Sequence, residues 1–302
     1  MKIQEIQAAS IFVRSKLPDA DFVANPYTGC QFGCQYCYAS FMGRFVDEPI
    51  ENWGDYVYVK VNAVELAERE LRRWSHERRT ASILLSSVTD PYHGVERKYG
   101  LTRGILTALA RETYPGLVGI LTKSPMVLRD VDILQRLPNV EVGMTITTTD
   151  DRLSRLLEFR APLASRRLQT LAGLHAAGLR VYAFIGPLLP HFRYCPDLLD
   201  TLFSKLADAG VESVYVEHIN LKQYIKKRLM TALRKEAPAV RRVYEDASTE
   251  QHRTALQMLV VELLAKHHLR LRMSEVLYHP EPPRPPQTIS KSILDLESRG
   301  AS

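Results

Sequence analysis

The chain has 302 residues, 45% of them hydrophobic and 25% charged, with 40 Lys and Arg against 34 Asp and Glu and a formal net charge of +6. This is a globular composition, and it excludes collagen-like, coiled-coil and disordered classes. Four cysteines, three of them between positions 30 and 37, cannot staple a chain of this length, which excludes the disulfide-rich secreted class.

Residues 1–19 form an N-terminal segment in which charges and amides interrupt every apolar run before a signal-peptide core of about 7–15 residues could form. A short strand is predicted near Phe22 to Asn25. A helix over 62–79 follows, its Val64, Ala67, Leu71 and Trp74 marking one buried face. Then strands at Ser82 to Ser86, Leu117 to Leu121, Val140 to Ile146, Arg180 to Ile185 and Ser213 to Val216 alternate with helices at 102–112, 126–136, 163–177 and 197–209. Gly178 and Gly210 follow the last two helices, where a left-handed cap wants glycine.

Strand, helix, strand repeated about six times means parallel strands joined by helical crossovers. No Gly-x-Gly-x-x-Gly follows the first strand, so a barrel, complete or partial, is favoured over a dinucleotide-binding sheet. Chemistry in such folds gathers just after the strands. Residues 20–220 are read as this core and 221–278 as a basic helical extension. Lys222, Lys226, Lys227, Arg228, Arg234, Lys235, Arg241 and Arg242 stand there against a single Glu236, ahead of a helix at 250–267. The Pro-rich end, 279–302, is expected to be an extended, flexible tail. The most apolar stretch, Leu256 to Ala265, contains Gln257 and Glu262 and falls far short of the roughly 20 residues of a membrane span. A cytoplasmic protein with no membrane partner is expected, its thiols reduced and available to metal.

The sharpest feature is Asn25-Pro-Tyr-Thr-Gly-Cys30-Gln-Phe-Gly-Cys34-Gln-Tyr-Cys37-Tyr, on a loop after the first strand. Three thiolates within eight residues can wrap one metal centre if the backbone turns tightly, and Gly29 and Gly33 permit the positive φ that such a turn needs. Iron-sulfur proteins ordinarily use four cysteines, one per iron. Three leave one iron open to an external ligand. The competing reading is a structural zinc site, which wants a fourth ligand nearby, yet the first histidine is His76.

The Cys-x3-Cys-x-aromatic-Cys pattern of Cys30, Cys34, Tyr36 and Cys37 resembles the hallmark of the radical S-adenosylmethionine superfamily, and the wider motif is similar to its spore photoproduct lyase-like, DNA repair photolyase-like branch. The resemblance covers about residues 20–220. It implies a partial parallel (β/α)6 barrel, a 4Fe-4S cluster on the three cysteines and S-adenosylmethionine on the open iron. It also implies a low-potential electron donor of flavodoxin or ferredoxin type, and reductive cleavage of the cofactor to a 5′-deoxyadenosyl radical that abstracts hydrogen from a substrate. Tyr36 would pack on the adenine. Thr89 and Asp90 match the segment that reaches the cofactor, Lys123 the lysine near its carboxylate, and Thr145 a hydroxyl beside it. Glu158 and Arg167 match positions that hold the cofactor or pair across helices.

Without the resemblance each of these has an ordinary reading: Thr145 as a β-former, Asp90-Pro91 as a turn. In the lyases proper, a cysteine near the end of strand two quenches the product radical, and Ser87 stands in its place here. Its O–H bond is too strong for that task, which counts against spore photoproduct repair itself. Cys195, after strand five, is a candidate hydrogen donor, its alternative being a small buried hydrophobe. The basic segment 222–242 with Tyr215, Tyr224 and Tyr244 has the ingredients of a nucleic-acid contact, its alternative being a solvated helix face. Three functions stay open: a radical enzyme acting on a nucleic acid or nucleotide, one acting on a peptide or small biosynthetic substrate, and a non-catalytic Fe-S or zinc module.

Overall fold

The computed structural model describes residues 1–279. Its strands in chain order are β1 (Lys2–Ile6), β2 (Phe12–Arg14), β3 (Phe22–Ala24), β4 (Tyr27–Thr28), β5 (Tyr56–Lys60), β6 (Ile83–Leu85), β7 (Val118–Thr122), β8 (Val140–Thr145), β9 (Arg180–Leu188), β10 (Ser213–His218) and β11 (Arg270–Leu271). The α-helices are α1 (Ala63–Arg73), α2 (His76–Arg79), α3 (Glu96–Tyr99), α4 (Leu101–Arg111), α5 (Val131–Leu134), α6 (Asp151–Leu157), α7 (Ala164–Ala176), α8 (Pro196–Asp208), α9 (Gln223–Ala232), α10 (Pro238–Asp246) and α11 (Glu250–Lys266).

The six strands predicted from apolar runs lie side by side in chain order, β3-β6-β7-β8-β9-β10, every pair parallel. Consecutive residues of β7, such as Val118 and Ile120 on either side of Gly119, are buried on both faces, as expected where helices cover both sides. β2 adds antiparallel at one edge and β11 parallel at the other. The two edges do not pair, so the barrel is partial.

Two predicted helices differ from those observed. Residues 62–79 divide into α1 and α2 because Trp74 takes an extended backbone, its ring packed on Phe12 and Phe22 at 5.0 and 4.9 Å, and Ser75 starts a new cap by accepting from the Arg78 N–H. Residues 126–136 become a 3-10 turn over Pro125–Asp130 and the short α5, since Pro125 at the first position and the Ser124 cap start the turn early. Gly178 and Gly210 adopt the predicted left-handed φ of +78° and +82°. The N-terminal segment contributes β1 to a second sheet, β1-β5-β4, which the apolar pattern does not reveal.

Ile225, Leu229, Tyr244, Leu256 and Val260 of the C-terminal helices are buried in the same apolar core as Ile185, Leu188 and Val214 of the sheet. Of the tail expected over 279–302, only His279 falls within the described residues. Among the described residues no helix is long and apolar enough to cross a membrane.

Candidate metal and cofactor site

The cysteine loop is placed by the side sheet. Gly29 has φ +89°, and a Cβ there would stand 2.5 Å from the Tyr56 carbonyl oxygen on β5; Gly33 has φ +60° and lies against Gly54. Only glycine lets the loop run this close. Within it the Gly33 N–H donates to the Cys30 carbonyl (3.3 Å) and the Cys37 N–H to that of Cys34 (3.2 Å), giving the tight turns the spacing predicts. The Gln35 N–H donates to Leu157 O at 2.8 Å, tying the loop to the end of α6.

Cys30, Cys34 and Cys37 all line one cavity of about 510 Å3, together with Tyr36, Thr89, Asp90, Lys123 and Thr145. It opens at the C-terminal ends of the parallel strands, where a barrel concentrates its chemistry. Burial pushes the three thiols up, Cys34 to about 12 despite Lys123. Thiols so placed ionise when a metal centre takes their protons. Among the described residues no group of three or more His, Cys, Asp or Glu donors converges on a single ion. A structural zinc needs four donors at about 2.0–2.3 Å. Three thiols on one wall, contributed by a single tight loop, fit a multi-iron cluster with one open iron.

The polar residues around the thiols do two kinds of work. Thr89 donates its hydroxyl to Gly29 O at 2.6 Å, and Asp90 accepts from the Thr122 hydroxyl (2.7 Å) and the N–H groups of Tyr92 (2.9 Å) and Lys123 (2.8 Å). These bonds brace the loops after β6 and β7 against the cysteine loop. Asn25 of the motif does the same, its Oδ1 accepting from Ser87 N (3.0 Å) and Val88 N (3.2 Å). Lys123 is one of two lysines lining the cavity, with Lys222, and its Nζ lies 5.9 Å from the Tyr36 ring centre. Burial pulls its pKa down, but Cys34 and Glu158 outweigh that and hold it above the ordinary lysine value.

Glu158 and Arg167 lie behind the cavity and form an ion pair with both side chains fully buried. Arg167 also donates to Thr145 O (3.1 Å) and Pro162 O (2.8 Å), and the Tyr36 hydroxyl donates to the other oxygen of Glu158. Burial pushes the Glu158 carboxyl up, yet Arg167 and Lys123 overcome it and hold it below the usual carboxylate range. The pair thus fixes the Tyr36 ring in the cavity wall.

Cys195 stands apart, exposed at the start of α8 and outside the cavity lining, so it is neither a buried hydrophobe nor beside the thiols. The tyrosines near the basic segment also depart from expectation. Tyr244 is buried in the core, Tyr215 bonds Asp19, and Tyr224 donates to Tyr38 O at 3.1 Å; the last two line the cavity. None of the three stands as a stacking surface among the outer lysines.

The sequence does not single out Glu217, and it marks Arg228 only as part of the basic segment. Glu217, near the end of β10, lines the cavity with 17% of its side chain exposed, 3.3 Å from His279 Nε2, and burial pushes its carboxyl up to about 7. Its signal was available, since it is the first residue after the predicted strand. Arg228 of α9 donates to Cys34 O at 3.3 Å. It occupies a helix face with Ile225 and Leu229, a spacing that also marks it from sequence.

The fold and site define a partial-barrel enzyme with a three-cysteine loop at the strand ends. Residues 24–202, more than half the chain, match the Radical SAM superfamily. An uncharacterized protein of Methanocaldococcus jannaschii is 34% identical over 200 residues, covering 66% of this chain and 70% of that one. An uncharacterized protein of Mycobacterium tuberculosis is 30% identical over 271 residues, covering 84% and 78%. Spore photoproduct lyase complexed with dinucleoside spore photoproduct has a similar fold, with a TM-score of 0.68 over 92% of this chain and 82% of that one at 13% identity. Streptococcus suis SuiB bound to the precursor peptide SuiA has a TM-score of 0.53 over 85% and 48% at 14% identity. The chain belongs to the Radical SAM superfamily and is an enzyme of that superfamily, which implies a 4Fe-4S cluster and S-adenosylmethionine.

Proposed function

We propose that Cys30, Cys34 and Cys37 hold a 4Fe-4S cluster and that the enzyme reductively cleaves S-adenosylmethionine to abstract hydrogen from a substrate bound in the same cavity. The observation that carries this is the convergence of the three thiols with Tyr36, Thr89, Lys123 and Thr145 on one cavity at the strand ends. When bound, the cluster supplies a low-potential electron and an open iron for an amino and carboxylate chelate. Lys123 neutralises that carboxylate at close range, Tyr36 packs on the adenine, and the Thr89 and Thr145 hydroxyls orient the remainder. The apolar walls, Phe41 and Phe184 among them, exclude water from the reacting centre. The electron comes from a flavodoxin- or ferredoxin-type donor.

The substrate class we favour is a nucleic acid or nucleotide. Tyr38, Phe41, Phe184 and Tyr224 line the cavity and suit a planar base, while Lys227, Arg234, Lys235 and Arg242 are exposed on the adjoining helical extension where phosphates could lie. One observation favours a second reading, a peptide or small biosynthetic substrate. Ser87, not a thiol, stands on the cavity wall, so the hydrogen removed is not returned by a residue there.

Protein reconstituted anaerobically with iron and sulfide is expected to yield 5′-deoxyadenosine and methionine with dithionite, and the Cys30→Ala variant none. Deuterium from a labelled oligonucleotide appearing in 5′-deoxyadenosine supports the nucleic-acid reading. Equal yields from wild type and Cys30→Ala would overturn the assignment.

A further inference from the structure

We propose that Arg228 is a positioning residue for the cluster, its guanidinium supplying the counter-charge behind the cysteine loop and setting the reduction potential. This rests on the cluster assignment above, and it adds a group from beyond the matched residues 24–202.

Arg228 enters the loop from the rear. Ile225 and Leu229 bury the inner face of α9 in the main core, and that anchoring turns Arg228 onto the loop rather than into solvent. Its Nη2 donates to Cys34 O at 3.3 Å, while Nη1 is buried with no hydrogen-bond partner. The acidic residue nearest in character, Glu51, is 3.6 Å from Lys227 instead, and among the described residues no carboxylate forms an ion pair with Arg228. Burial draws its pKa down from the ordinary arginine value. Arginine remains charged under these conditions.

A part-buried cation without a paired anion is costly, and a buried N–H without an acceptor adds to the cost. Arg167, by contrast, buries its charge directly against Glu158. The anion that fits Arg228 is the cluster with its three thiolates. One electron from a low-potential reductant adds one negative charge to it. A fixed guanidinium nearby stabilises that reduced form relative to the oxidised form and so raises the potential. Trp53, whose indole N–H is likewise buried without a partner and which lines the cavity beside the thiols, is consistent with an acceptor that side chains alone do not provide.

The test uses the full-length protein reconstituted anaerobically, with iron and sulfide content, the cluster's paramagnetic resonance spectrum and its midpoint potential as readouts. Arg228→Gln keeps a donor for Cys34 O and removes the charge; Arg228→Lys keeps the charge and removes the fork. Expected is normal iron content in Arg228→Gln with reduction disfavoured about tenfold, a fall of about 59 mV for one electron. Arg228→Lys should stay closer to wild type. Loss of iron in Arg228→Gln with retention in Arg228→Lys also supports the counter-charge role. An unchanged potential and spectrum in loaded Arg228→Gln would overturn the inference, as would equal iron loss in both variants. Wild-type protein that takes up no cluster would overturn the cluster assignment itself, an outcome distinct from any difference between variants.

Discussion

The Tyr36 hydroxyl donates to Glu158, whose second oxygen is paired with Arg167, so an aromatic of the cysteine loop is held by an ion pair with no solvent exposure. Removing one partner leaves a buried charge. Glu158→Ala or Arg167→Ala is expected to cost roughly 3–5 kcal/mol of stability by denaturant unfolding. Tyr36→Phe loses one hydrogen bond to a charged group and should cost about 1.5–3 kcal/mol. If Arg167→Ala unfolds at the wild-type midpoint, the pair does not hold this wall.

Glu217 gives the protein a pH dependence of its own. Burial raises its carboxyl from 4.5 to about 7 in the folded chain. The folded state therefore holds a proton that the unfolded state has released, and stability falls as pH rises from about 4.5 to about 7. A shift of this size corresponds to roughly 3 kcal/mol. Glu217→Gln should match wild type near pH 4 and be the more stable protein at pH 8. Parallel unfolding midpoints across that range would refute the assignment.

The cysteines are expected to separate cleanly. Ala at Cys30, Cys34 or Cys37 should abolish iron retention on reconstitution, whereas Cys195→Ala, at an exposed position outside the cavity, should retain iron and S-adenosylmethionine cleavage at wild-type levels. A loss of cleavage in Cys195→Ala would place that thiol in the reaction.

Lys123→Met keeps much of the side-chain length and removes the charge. With the cluster in place it should weaken S-adenosylmethionine binding by about 10–100-fold, the worth of one hydrogen bond to a carboxylate. Calorimetric titration of the loaded protein checks it. Unchanged affinity would leave Lys123 as a brace for Asp90, to which only its backbone N–H donates.

Gly29→Ala adds a Cβ 2.5 Å from the Tyr56 carbonyl at a φ of +89°. The loop must move. Lower iron content than in wild type is expected even where the protein still folds, measured as iron per chain after reconstitution.

The central strands were legible because parallel strands covered on both faces are short, largely apolar runs rich in β-branched residues, as Val118 to Thr122 and Val140 to Thr145 are. The cysteine loop was legible from spacing and glycines. The β1-β5 pairing was not, since Lys2 to Ile6 is mostly exposed and its partner lies more than fifty residues away. The inward turn of Arg228, Tyr215 and Tyr224 escaped a reading that counted charges and aromatics along the chain without asking which helix face carried them. Glu217 was legible, standing directly after the predicted strand where barrel chemistry gathers.

Arg228 and Cys34 are 194 residues apart along the chain, and this separation is also a delay. At synthesis rates of about 5–20 residues per second, the cysteine loop leaves the ribosome roughly 10–40 s before α9 can close on it. Throughout that interval the thiols stand on a loop without its rear wall, open to oxygen and to stray metal ions. The helix that carries Arg228 is thus a finishing step in assembly, since the wall behind the cysteine loop exists only once α9 has been made.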